Sequence, residues 1–159
     1  MKVQKSIEIT ASPEKIWPYL VEPDKILKWC ITFVKFEYTS EQRSGVGATF
    51  YLEEKAGGPL MKLNFRITEW IENEKIAFIM TSGNFVKGYN QSWTVQAIPS
   101  GSRFTFMEEV TLPFGIIGKI MGPVAQRGSE ATVGKMLPKL KSLAEVSKRQ
   151  VISFLSLRN

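Results

Sequence analysis

From about residue 31 to residue 111 apolar positions recur every second residue, and beyond Pro113 they recur every three to four. This change of period restricts the fold more than any other feature. A long antiparallel run must have one face covered, and the only long amphipathic element in the chain lies at its C-terminal end. Strands are expected near 32–40, 47–55, 60–72, 75–82, 88–98 and 102–111. Ser44-Gly45, Gly57-Gly58-Pro59, Glu72-Asn73-Glu74, Ser82-Gly83-Asn84 and Pro99-Ser100-Gly101 separate them. Such short connections, rich in turn formers, predict an antiparallel meander.

Residues 2–10 alternate as well, with Val3, Ile7 and Ile9 opposite Ser6, Glu8 and Thr10, and predict a further half-buried strand. Ser12 and Pro13 then read as the cap and first position of a short helix carrying Ile16, Trp17 and Leu20. Pro23 restarts the chain, and Asp24 is expected to cap a second short helix with Ile26, Leu27 and Trp29. After an apolar, glycine-punctuated linker at 114–118, a long helix is predicted from near Pro123. Val133, Met136, Leu137, Leu140, Leu143 and Ala144 form one narrow stripe on it, which continues through Val151, Phe154 and Leu155. The expected fold is α+β, with a curved seven-stranded antiparallel sheet wrapped around one C-terminal helix and two short helices after the first strand. Residues 1–146 are read as one domain and 147–159 as a helical extension or tail.

A sheet of this kind leaves space against its helix that side chains need not fill. The inward faces are expected to be Val34/Phe36/Tyr38, Phe50/Leu52, Leu63/Phe65/Ile67, Trp93/Val95/Ala97 and Phe104/Phe106. On 75–82, either Ile76, Phe78 and Met80 or Ala77 and Ile79 face in.

The chain has no histidine and one cysteine, Cys30. That removes Ser-His-Asp and Cys-His nucleophile activation and any soft-metal site built from this chain alone. No metal and no cofactor are expected, and acid–base chemistry would fall to carboxylates, lysine, tyrosine or water. Lone Cys30, read as a small buried hydrophobe, makes no internal disulfide; no apolar run reaches about 18 residues and no secretory leader is legible. A cytoplasmic location is the expectation. The net charge of +6 is uneven: residues 1–118 carry 13 basic and 13 acidic side chains, so the whole excess lies in 119–159. This excess is either a solvated helix face or an attraction to an anionic surface. Its basic residues lack interleaved aromatic platforms, so no nucleic-acid partner is expected.

Ile7-Glu8-Ile9-Thr10-Ala11-Ser12-Pro13-Glu14-Lys15-Ile16-Trp17 resembles the opening of the SRPBCC superfamily, the helix-grip proteins that include START domains and birch-pollen-allergen-like proteins. Glu22-Pro23-Asp24-Lys25-Ile26-Leu27-Lys28-Trp29 is similar to its second helix, and Gly45-Val46-Gly47-Ala48-Thr49-Phe50 to its third strand. Leu112-Pro113 with the closing helix resembles its end, and the polyketide cyclase/dehydrase-like families are the nearest in kind. The resemblance covers roughly residues 2–146 and implies the fold; it brings no shared catalytic motif to transfer.

A ligand site is expected from Phe36, Phe50, Phe65, Gln91, Trp93, Phe104, Phe106 and Glu108 on the sheet and Met136 and Leu140 on the helix; the alternative is a filled core for each aromatic and a cross-strand hydrogen bond for Gln91. Glu108, by alternation with Phe104 and Phe106, points inward, where burial would raise its pKa; the alternatives are solvent at an open strand end or pairing with Lys5 or Arg66. It is the one catalytic candidate. Glu53-Glu54, Glu72/Glu74 and Glu108-Glu109 make no acid–base dyad by spacing, since strand neighbours point to opposite faces.

Three functions follow: a carrier of a hydrophobic or aromatic, lipid- or polyketide-like molecule; a cyclase or dehydratase-like enzyme; or a membrane-surface or protein interaction module. The lack of a recognisable catalytic motif favours the first. For the overhanging tail the choices are self-association, an anionic membrane surface met by Lys148 and Arg149, or a frayed end.

Overall fold

A computed structural model describes the backbone of residues 1–113 and 115–156, and the side chains of 1–113, 115 and 121–146. The period-two segments form β1 (Lys2–Ile9), β2 (Phe33–Tyr38), β3 (Thr49–Glu54), β4 (Met61–Ile71), β5 (Lys75–Gly83), β6 (Gly88–Ile98) and β7 (Gly101–Thr111). They make one 7-stranded sheet in the order β1-β7-β6-β5-β4-β3-β2, antiparallel throughout. This is the expected meander, with the first strand added beside the last. β5 pairs with β6 only from Lys75 to Ile79, while its pairing with β4 continues to Gly83. The sheet therefore parts between β5 and β6 at one end.

Three short helices follow β1: α1 (Pro13–Ile16), α2 (Pro18–Val21) and α3 (Pro23–Trp29). The sequence reading expected two. Each starts on a proline, whose fixed φ and missing N–H suit a first helical turn and end whatever helix precedes it. Pro18 thus makes a separate turn of what the Ser12-Pro13 start and the apolar Ile16, Trp17 and Leu20 predict as one helix. Ser12 holds the N-cap position, with its carbonyl rather than its hydroxyl taking the bonds. The N-cap of α3 is Glu22, so Asp24 lies inside the first turn and does not cap.

The closing helix α4 runs Gly115–Ser156 and contains Pro123 and Pro138. It begins eight residues earlier than expected, so what was read as a linker is helical from Gly115 on. The glycines at 115, 118 and 122 each cost roughly 1 kcal/mol against alanine, too little to stop a helix otherwise built of Ile, Lys and Met. Phe114, the side chains of 116–120 and those of 147–159 lie outside the described residues. That includes the predicted stripe of Val151, Phe154 and Leu155 and the flanking Lys148 and Arg149. Among the described residues no helix is long and apolar enough to cross a membrane.

Where alternation is regular, the concave face is as expected: Phe50 and Leu52, Leu63, Phe65 and Ile67, Trp93 and Val95, and Phe104 and Phe106 are all buried. On β5, Ile76 and Phe78 face in and Ile79 is exposed. Two positions are corrected. Val34 is 58% exposed, because an extra residue between Phe33 and Lys35 bulges β2 and turns Phe33 inward instead. Ala97 shares the inward parity but is exposed at the end of β6, next to the Pro99-Ser100 turn.

The centre of the fold is aromatic. α3 drives Trp29 against Trp93 (centroids 5.2 Å apart) and Phe104 (5.6 Å), and Phe78 meets Trp93 at 5.1 Å. Phe36, Phe50 and Phe65 stack in series at 4.5 and 5.1 Å. Such pairs contribute about 0.5–1.5 kcal/mol each beyond their buried area. From α4, Val133, Met136, Leu137, Leu140 and Ala144 are buried against this body.

Candidate functional site

Toward the end where β5 and β6 part, the aromatic packing stops and a cavity of about 600 Å³ remains between sheet and helix. That volume is typical of small-molecule pockets. Tyr89, Gln91, Phe106 and Glu108 line it from β6 and β7, and Glu54 reaches it from the end of β3. Its roof is α4 from Val124 to Met136, and Ile31, Thr32, Phe33 and Met61 close the side. A more open groove of about 750 Å³ lies beyond, between the end of β7 and the start of α4.

Of the ten expected binding residues, Gln91, Phe106, Glu108 and Met136 line the cavity. Phe36, Phe50, Phe65, Trp93, Phe104 and Leu140 do not; they are buried in the aromatic body beside it. For Trp93 and Phe104 the reason is Trp29, whose ring fills the space over them that alternation alone leaves free; Phe36, Phe50 and Phe65 stack on one another.

Glu108 is 5% exposed and accepts hydrogen bonds from Tyr89 Oη at 3.1 Å and from Ser129 Oγ of α4. Neither Lys5 nor Arg66 pairs with it. Burial pushes its carboxyl above the ordinary range, and the Ser129 and Tyr89 bonds pull against that. Alternation along β3 does send Glu53 and Glu54 to opposite sides: Glu53 accepts from Tyr51 Oη at 2.8 Å, whereas Glu54 is 6% exposed. Glu54 Oε1 accepts from Thr32 Oγ1 at 2.8 Å. Its pKa is raised to about 7, first by burial, with the Thr32 bond and the nearby Tyr89 hydroxyl opposing and the charge of Glu108 adding to the rise.

A carboxylate pair therefore exists, formed across the curl of the sheet by two strands that are not neighbours. Tyr89 stands between the two carboxyls, its own pKa raised by burial and by both of them. Its hydroxyl has one proton, which goes to Glu108, and it accepts from Gln91 Nε2 at 2.7 Å. Glu54 Oε2 and Gln91 Oε1 are left buried with no partner. Orphaned buried acceptors are uncommon in folded proteins, and here both belong to residues of one cavity.

Glu54, Tyr89, Thr32 and Ser129 escaped the sequence reading, although most carried a signal. Glu54 has the parity of Phe50 and Leu52, and Tyr89 that of Gln91 and Trp93. Ser129 lies four and seven residues before Val133 and Met136, on their face of the helix. Among the described residues no group of three or more His, Cys, Asp or Glu is placed to hold a metal ion.

A half-barrel of seven antiparallel strands gripping a long helix is the helix-grip fold. Within that class the chain belongs to the polyketide cyclase/dehydrase and lipid transport family, whose profile matches residues 1–145. An uncharacterized protein of Mycobacterium tuberculosis is 26% identical over 103 residues, 65% of this chain. That match spans 61% of the relative's length. Among solved structures, a Thermus thermophilus protein aligns with a TM-score of 0.78 over 92% of this chain and 99% of its own, at 16% identity. A START superfamily protein of Mycobacterium smegmatis gives 0.75 over 91% and 97%, also at 16% identity. An aromatase/cyclase of a Streptomyces species gives 0.69 over 91% and 93%, again at 16%. Likeness at this level of identity is likeness of fold.

Proposed function

We propose that the chain binds a hydrophobic small molecule in the cavity between sheet and α4, with the apolar part against Phe33, Phe106 and Met136 and a polar end at the Glu54–Tyr89–Glu108 cluster. The supporting observation is the coincidence of a ligand-sized space with two buried acceptors that have no partner in the protein. The family description, which names lipid transport beside cyclase and dehydrase activity, agrees with a carrier of apolar cargo. Titration with Nile red, a neutral apolar dye, tests the reading. Saturable binding that is abolished by filling the cavity supports it, and absence of binding refutes it.

One observation favours a second, catalytic reading. A carboxyl that titrates at about 7 beside another raised carboxyl can give and take a proton near neutral pH, as cyclisation or dehydration of a polyketide-like chain requires. In that reading Glu54 and Glu108 are the acid–base pair and the cavity supplies orientation. Turnover of a polyketide-like substrate that disappears in Glu54→Gln and Glu108→Gln, while dye binding persists, would establish it.

A further inference from the structure

The polar end of the cavity is unusual in what it still has to offer. Within the buried cluster each side-chain donor is committed: Thr32 to Glu54, Tyr89 and Ser129 to Glu108, and the Gln91 amide nitrogen to Tyr89. The unpartnered atoms of the cavity, Gln91 Oε1 and, when its carboxyl is ionised, Glu54 Oε2, accept and do not donate; the third unpartnered buried atom, the donor Trp93 Nε1, lies in the aromatic body and does not line the cavity. The two carboxyls are 6% and 5% exposed, and no lysine or arginine forms an ion pair with either among the described residues. Buried charge without a counter-charge is costly, and a positively charged donor entering the cavity removes that cost.

Resting on the proposed cavity-binding function, we infer that the ligand carries an ammonium group: it is a hydrophobic amine, held with its nitrogen between Glu54, Gln91 and Glu108. A protonated primary amine has three N–H donors and no acceptor, the complement of a cluster whose free atoms, once its carboxyls are ionised, only accept. Hydrogen bonds between an ammonium and carboxylates are roughly twice as strong as neutral ones. A fatty acid fits poorly, because its carboxylate would meet two others, and reversing it would lay its alkyl tail on the carboxylates. Lys55 and Lys135 line the cavity too, but both side chains are exposed to solvent, where their repulsion of a cation is screened. An alcohol can bond to the orphaned acceptors but leaves the charge unneutralised.

The test compares decylamine, decanol and decanoate by calorimetry at about pH 8. There an alkylammonium resembling that of lysine, with a pKa near 10.4, is protonated, and Glu54, at about 7, is ionised. The amine is expected to bind at least about tenfold more tightly than either of the others, and Glu54→Gln and Glu108→Gln are each expected to lower amine affinity by about tenfold or more. Decanol affinity should change little. Equal or tighter binding of decanol or decanoate to the unmodified protein overturns the inference without needing any variant to fold. So does an amine preference that survives both substitutions in folded variants. Nile red binding in the same samples separates the two levels: dye bound with no amine preference defeats only the ammonium assignment, whereas no dye and no amine binding defeats the cavity-binding function with it.

Discussion

Gln91 donates its side-chain amide to the Tyr89 hydroxyl at 2.7 Å, and so decides where the proton of Tyr89 goes. With one side of the oxygen occupied, the hydroxyl donates to Glu108 at 3.1 Å. The direction of that short chain leaves the Gln91 carbonyl and the far oxygen of Glu54 unpaired.

Replacing Tyr89 with phenylalanine keeps the ring and removes both bonds. The Gln91 amide and Glu108 Oε2 each lose a buried partner, for a cost of roughly 1–3 kcal/mol. The Glu108 carboxyl also loses one of the two bonds holding its pKa down, so it should titrate higher than in the unmodified protein. Urea unfolding measures the first effect and carbon-detected NMR titration of Glu108 the second. An unchanged midpoint together with an unchanged titration would contradict the bonded chain.

Stability should fall as pH rises through neutrality. Folding raises the pKa of Glu54 from 4.5 to about 7, so the folded state holds this proton more tightly than the unfolded state. The contribution is complete below about 4.5 and is lost on the way up to about 7. The loss is on the order of 3 kcal/mol at full ionisation. Glu108, raised in the same direction, adds to it. Glu54→Gln should flatten the slope between about pH 5 and pH 8 in denaturant midpoints; a parallel slope in that variant would mean that other groups carry it.

Dye binding and stability should respond to different positions. Phe65 is fully buried, stacks on Phe50 and does not line the cavity, so Phe65→Ala should cost about 3–5 kcal/mol and leave Nile red affinity of the folded protein unchanged. Gly128 does line the cavity, and a side chain built there meets nothing within 4 Å. Gly128→Phe should therefore block the dye with little loss in melting temperature, since glycine is the poorer helix former by several tenths of a kcal/mol. Loss of binding in the first variant and retention in the second would place the ligand elsewhere.

At the β6–β7 turn, Gly101 has φ +140°, a region nearly closed to other residues. A Cβ there would strike the carbonyl of Ile9 and press on the backbone of Thr10 and Ala11. Gly101→Ala should thus rank among the most destabilising single substitutions in the chain, by more than about 2 kcal/mol, and should show as a fall in melting temperature.

The fold was legible because its signals are local. Period two, turn dipeptides and one long amphipathic stripe fix seven strands and a closing helix, and that logic failed where single residues act alone, at Pro18 and Gly115, at the bulge beside Val34, at the strand end of Ala97 and at the cap of α3, which is Glu22 and not Asp24. The site was half legible. Alternation put Gln91, Phe106 and Glu108 on the right face, and helix period did so for Met136. What alternation cannot report is how far along the concave face packing ends. Phe50, Phe65, Trp93 and Phe104 share that face, but Trp93 and Phe104 lie under Trp29, which arrives from a separate element, and Phe50 and Phe65 pack against each other and Phe78. Glu54 and Glu108 meet only because the sheet curls, a relation between residues 54 positions apart that no spacing rule contains.

The extra residue in β2 has a consequence for life in a crowded solution. β2 is the last strand on its side, so its outer backbone is a template on which another chain could add a strand. A regular strand there would offer an unbroken ladder. The bulge at Val34 breaks its rhythm, and the exposed Lys35–Glu37 pair, 3.1 Å apart, puts charge beside the break. Regular pairing of the same residues, without the bulge, would turn Phe33 outward along this border. The bulge that turns Phe33 toward the cavity thus also interrupts the edge on which a second chain would have to pair.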